Sequence, residues 1–178
     1  MTRNQLEHII RAAAEIADDD PIIIIGSQAI LGQFPEAPEA LLMSMEADVY
    51  PWNKPERADL IDGSIGEGSP FHELYGYYAQ GVGPETAVLP AGWQDHLVTV
   101  CNANTRYRSG LCLEVHDLVI SKYVAGRRKD LEFVRNAIRY GLVDKETLLA
   151  RLAQTPIEDA GKAVIVQRTE LDFSAPGQ

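Results

Sequence analysis

The chain has 178 residues, 46% of them hydrophobic, which is enough for one domain with a substantial core. A formal charge of −10 argues against a general nucleic-acid coat or an anionic-membrane binder, so extended duplex DNA is not an expected partner. No apolar stretch approaches a membrane span and no leader pattern is evident, so Cys101 and Cys112 read as reduced core thiols of a cytoplasmic protein.

Leu6, Ile9, Ile10, Ala13, Ile16 and Ala17 recur at helical spacing and predict a helix over 2–17, with Thr2 and Gln5 in capping-box positions. Asp18-Asp19-Asp20 reads as the turn that closes it before Pro21, rather than as a metal site. The run Ile22-Ile23-Ile24-Ile25 is short, apolar and β-branched, the pattern of a strand buried on both faces. Gly26-Ser27 then turns the chain into a short helix over 28–32, with Ser27 at its N-cap. Such a strand-to-helix turn gathers free backbone N–H groups, which suits a phosphate. After a proline-rich loop over 34–39, residues 44–50 alternate as a strand does. Glu46 and Asp48 therefore share a face, roughly 6.5–7 Å apart along the backbone. Two carboxylates so placed repel each other unless a cation lies between them. A phosphate cradle beside a carboxylate pair is what metal-dependent phosphoryl transfer needs.

Residues 57–61 predict a short helix, and the glycine- and serine-rich run 62–70 a mobile connection, since it follows no strand and lacks the lysine of a P-loop. Phe71, Tyr75, Tyr77 and Tyr78 concentrate aromatic rings that either pack in the core or stack on a base. His72 has no companion at metal-ligand spacing. Strands are expected over 86–89, 96–101 and 111–115; within the last, Glu114 needs an exposed edge or a neutralising partner. His116-Asp117 lacks the further ligands of an HD phosphohydrolase, and Asp117 fits better as the N-cap of a helix over 118–125. Beyond Gly126 comes the basic loop Arg127-Arg128-Lys129, then a helix over 131–140 with Asp130 at its N-cap. Residues 106–139 carry eight basic and four acidic side chains, +4 against −14 for the remainder. A basic patch on an acidic protein suits a small polyanion such as a nucleoside triphosphate, and Lys122 and Arg127 can converge on one. The last elements expected are an amphipathic helix over 144–153, an added strand over 163–167 and a loose tail over 174–178.

The order GSQAI, then Glu46-Ala47-Asp48, resembles the nucleotidyltransferase superfamily with the DNA polymerase β-like fold. LEVHDLVISKYVAGRRKDLEFV, from Leu113 to Val134, is similar to the AbiEii-type branch, which includes bacterial toxin nucleotidyltransferases and small cytosolic relatives. The resemblance implies an α/β architecture in which a small mixed sheet, with strands near Ile22, Met45, His96 and Leu111, is flanked by helices. Residues 1–116 would form the core, with 117–178 a helical segment and tail packed on it as one structural domain. It also implies that Gly26 and Ser27 hold the β- and γ-phosphates and that Glu46 and Asp48 bind Mg²⁺ or Mn²⁺. Glu114, matched by order as the third carboxylate, or another residue would activate an acceptor hydroxyl for in-line attack on the α-phosphate, while Lys122, Arg127 and Arg128 offset charge. The expected reaction moves a nucleoside monophosphate from a nucleoside triphosphate to a hydroxyl on an RNA end or a protein. The alternative is a catalytically weak or inactive binding or regulatory module, acting with a cognate partner protein as in a toxin–antitoxin system.

Overall fold

A computed structural model describes residues 1–174; the expected tail beyond Ser174 lies outside the described residues. The fold is mixed α/β and divides into two compact units, Met1–Thr86 with Leu97–Glu114 and Ala87–His96 with Val115–Gln178.

The first unit is built on a five-stranded mixed sheet of order β3-β2-β1-β5-β4. Its strands are β1 (Ile22–Ile24), β2 (Glu46–Pro51), β3 (Tyr78–Gly81), β4 (Val98–Val100) and β5 (Gly110–Cys112). As the isoleucine run predicts, β1 is central, antiparallel to β2 and parallel to β5. All three of its side chains are fully buried, each worth about 1.5–3 kcal/mol relative to exposure. Helix α1 (Arg3–Ala17) starts in the expected capping box, Thr2 and Gln5 satisfying each other's backbone N–H groups. It packs on one face of the sheet: a Cβ on Gly110 would meet Ile10 of α1 at 2.3 Å and Ile24 of β1 at 3.2 Å. Helix α3 (Ala58–Ile65) covers the same face, because a Cβ on Gly81 would meet the Ala58 carbonyl at 1.9 Å. A third helix, α2 (Ile30–Gln33), touches that face too, with Gly32 against Cys112.

Several local expectations are corrected. Strand β3 falls at 78–81 and pairs in parallel with β2, whereas 86–89 forms no strand; Pro84–Thr86 is a 3₁₀ turn. Helix α3 runs on to Ile65, so the glycine-rich connection is shorter than expected, and α4 (Pro70–Tyr75) follows, capped by Ser69. Asp18 takes the left-handed conformation after α1, and Asp19 accepts hydrogen bonds from the backbone of Asn53 and Lys54. Cys112 is buried, which raises its thiol pKa to about 12, but Cys101 is exposed and is no core residue.

The second unit is helical: α5 (Val115–Ala125), α6 (Arg128–Arg139), α7 (Lys145–Ala153) and α8 (Asp159–Ser174). Helices α5 and α6 start earlier than their expected caps. Asp117 and Asp130 lie inside first turns, and Arg127 takes the N-cap position of α6. The reason is that both aspartates are buried and ion-paired rather than capping at the surface. The strand expected over 163–167 is part of α8, whose Val164 and Val166 are exposed.

Candidate functional site

The turn after β1 sets the geometry. The amide of Ile25 donates to the Asp48 carbonyl at 3.0 Å, which holds the end of β1 against β2. Gly26 follows with extended backbone, φ −76° and ψ −179°, and Ser27 opens a 3₁₀ turn, Ser27–Ala29, rather than capping an α-helix. A Cβ on Gly26 would lie 2.1 Å from Asp48 Oδ2 and 2.8 Å from its Cγ. The Asp48 carboxylate thus rests directly on Gly26, at the point where the chain leaves the sheet. Any larger residue would have to displace the Asp48 side chain.

The neighbouring strand completes this face. In the β2–β3 register Glu46 pairs with Tyr78 and Asp48 with Gln80, so all four project from one side of the sheet. Ala47 and Val49 point to the other side, where α1 and α3 pack. Glu46 and Asp48 are half-buried, and Gln80 is exposed. The Tyr78 hydroxyl donates to Glu46 Oε2 at 3.3 Å. Burial pushes the Tyr78 pKa up to about 12, with further contributions from the charges of Glu46 and Glu67, the hydrogen bond to Glu46 and the charge of Asp48. The phenol therefore holds its proton at neutral pH. Its ring lies 4.6 Å from that of His72, whose Nδ1 accepts from the Gly68 amide at 3.0 Å. That contact ties the loop carrying Glu67 to the same edge.

The donor set on this face is oxygen alone, from two carboxylates, which fits a hard divalent cation such as Mg²⁺ whose other positions are filled by water or phosphate. Among the described residues, no group of three or more His, Cys, Asp or Glu is arranged to hold a metal ion. Glu114 follows β5, and its Oε1 accepts from Gln33 Nε2 of α2 at 3.4 Å. Lys122 and Arg127 do converge, but on Asp130 of their own unit, at 3.3 Å and 2.6 Å. Burial pushes the Asp130 carboxyl up, yet the Arg127 hydrogen bond and the Lys122 and Arg127 charges together hold it below its ordinary value. Arg128 pairs with Glu132 at 2.9 Å and is almost fully exposed.

Sequence reasoning missed Tyr78 and Gln80 as members of the site. The aromatic run splits by strand parity: Tyr77 turns toward α1 and shares a 2.7 Å hydrogen bond with His8, while Tyr78 turns toward the acids. Phe71 and Tyr75 join His8 and Tyr77 in one ring cluster, beside a surface cavity of about 340 Å³ lined by Asn4, Gln5, His8, Arg11, Tyr77 and Asn104. Within the second unit, the fully buried Asp117 is held between His96 Nδ1 at 2.9 Å and Arg151 Nη1 at 3.0 Å. His116 accepts from the Asp144 amide through Nε2 at 2.9 Å, a structural bond at the start of α7.

A family model described as "Nucleotidyltransferase of unknown function (DUF6036)" matches residues 4–175. No curated protein and no solved structure matches the chain.

Proposed function

The chain belongs to that nucleotidyltransferase family of unknown function, and from this premise we propose that it moves a nucleoside monophosphate from a nucleoside triphosphate to an acceptor hydroxyl. The observation that supports this reading most is the contact of the Asp48 carboxylate with Gly26. It brings an acidic group to the strand-end turn where backbone N–H groups can face phosphate. In this reading Gly26 and Ser27 receive the β- and γ-phosphates, and Glu46 and Asp48 hold Mg²⁺ or Mn²⁺. The cation supplies charge neutralisation for the phosphates. The chain supplies position: Asp48 is fixed by its fit to Gly26, and Glu46 by its place two residues back on the same strand face. Glu46, already within hydrogen-bond reach of a hydroxyl, is the carboxylate best situated to take an acceptor proton. Glu114, whose Oε1 accepts from Gln33 Nε2 at 3.4 Å, stays the alternative for this role that the resemblance implies. Lys122 and Arg127 hold the buried Asp130, which leaves Arg128 the most exposed of the three expected phosphate cations.

A second reading, a module that binds triphosphate without turnover and acts on a partner protein, is favoured by one observation. Among the described residues, no group of three or more His, Cys, Asp or Glu is arranged to hold a metal ion. Transfer of labelled nucleotide from each of the four ribonucleoside triphosphates to a bulk RNA and protein pool separates the two. Metal-dependent labelling supports the enzyme. Triphosphate binding with no labelled product supports the module.

A further inference from the structure

The site carries a hydroxyl of its own. Ser44 Oγ lies near Glu46 but is engaged with the Glu46 backbone, accepting from its amide at 3.0 Å and donating to its carbonyl at 3.2 Å. Tyr78 is different: its hydroxyl donates to the Glu46 carboxylate itself, at 3.3 Å, from the residue directly opposite in the β2–β3 register. That is the relation a general base has to the acceptor it deprotonates.

The order along this face also fits an in-line displacement. The Gly26–Ser27 turn lies against Asp48, and Tyr78 lies against Glu46, one side-chain step back toward the start of β2. That step is roughly 6.5–7 Å. A triphosphate whose β- and γ-phosphates rest at the turn extends its α-phosphate over the acid pair. Bound so, the leaving pyrophosphate would lie toward the turn and the Tyr78 hydroxyl toward Glu46, the arrangement that in-line attack on phosphorus requires. The His72 ring, 4.6 Å from the phenol and tilted by 48°, limits the freedom of the Tyr78 side chain.

We propose that Tyr78 is a self-modification site: the chain transfers a nucleoside monophosphate to its own Tyr78 hydroxyl. This rests on the reading of the acid pair given above. In the step, Tyr78 Oη forms a bond to the α-phosphorus, and the bond from that phosphorus to the bridging oxygen of the β-phosphate breaks. Pyrophosphate leaves with the electron pair, and the phenolic proton passes to Glu46. The product is a phosphodiester between tyrosine and nucleoside. Tyr78 has one acceptor hydroxyl, so each molecule is modified once at this position.

The test is intact mass followed by peptide mapping of the full chain after incubation with each ribonucleoside triphosphate and Mg²⁺. The expected result is one nucleoside monophosphate adduct on Tyr78 in the wild type and none in Tyr78→Phe, which keeps the ring beside His72. Glu46→Gln retains the hydroxyl and removes the carboxylate that both takes its proton and holds the cation, and should slow adduct formation by roughly 10²–10⁴-fold or more. Adduct on any other residue, or no adduct at all, overturns the proposal. Triphosphate binding by calorimetry and labelling of the RNA and protein pool, run on the same preparations, tell the two failures apart. Binding or pool labelling without an adduct leaves the acid-pair reading intact; the absence of all three removes that reading as well.

Discussion

The Asp48 carboxylate fills the space where a Gly26 side chain would stand: a Cβ there comes within 2.1 Å of Oδ2 and 2.8 Å of Cγ. The Gly26 backbone, at φ −76°, is open to any residue, so the demand for glycine is steric and comes from one named neighbour. Gly26→Ala should therefore destabilise the fold by about 1–3 kcal/mol through overpacking. It should also lower triphosphate affinity on the order of 10–100-fold, because the carboxylate is displaced. Adding Asp48→Ala removes the two nearest clashing atoms. Chemical denaturation should then show stability partly restored while triphosphate binding stays lost.

Asp130 is buried between Lys122 and Arg127. Its carboxyl titrates below its ordinary value, so it contributes stability above the unfolded pKa of about 3.9. That contribution is lost as pH falls through the lower folded value. Asp130→Ala leaves the mostly buried Lys122 without this partner and should cost about 3 kcal/mol, measured by denaturation at neutral pH. In the variant, the acid end of the stability profile should be flatter than in the wild type.

Arg151 lies 3.0 Å from an oxygen of Asp117, a carboxylate with no exposure at all. Arg151→Ala should cost about 3 kcal/mol by leaving charge in the interior, whereas Arg128→Ala, at the surface, should change stability by about 0.5 kcal/mol or less. Equal effects of the two would refute the buried role of Asp117.

The Tyr78 phenol titrates at about 12 in the folded chain, against about 10 when unfolded. A raised folded value means that its contribution to stability is complete below pH ~10 and fades as pH rises toward the folded value. Glu46→Gln removes the neighbouring charge and should lower the Tyr78 pKa, read by NMR titration of a ring-labelled sample.

Half of the site was legible because it is local. The strand, the Gly26-Ser27 turn and the Glu46-x-Asp48 alternation each lie within a few residues, and period-two spacing alone puts both acids on one face. Tyr78 and Gln80 were not legible, because they join the site through the register of β3 on β2, a pairing between segments about 32 residues apart. The β3 sequence Tyr-Ala-Gln-Gly has little strand propensity, so nothing in it marks a strand, and its ring carries no signal that separates packing from a place beside the acids. Glu114 was placed by order along the chain. The contact with Gln33 depends on where α2 packs, which order does not encode. Residues 163–167 read as a strand, yet they fall within the 16-residue helix α8, where helical context overrides the β-branched run Val164-Ile165-Val166.

The measurement closest to the central claim is calorimetric titration of the chain with a nonhydrolysable nucleoside triphosphate, with Mg²⁺ and with the metal chelated. A shared site at Gly26, Ser27, Glu46 and Asp48 predicts that chelation weakens binding and that Asp48→Asn weakens it similarly, with little further loss when both are combined. Equal affinity with and without metal, and in Asp48→Asn, would contradict it.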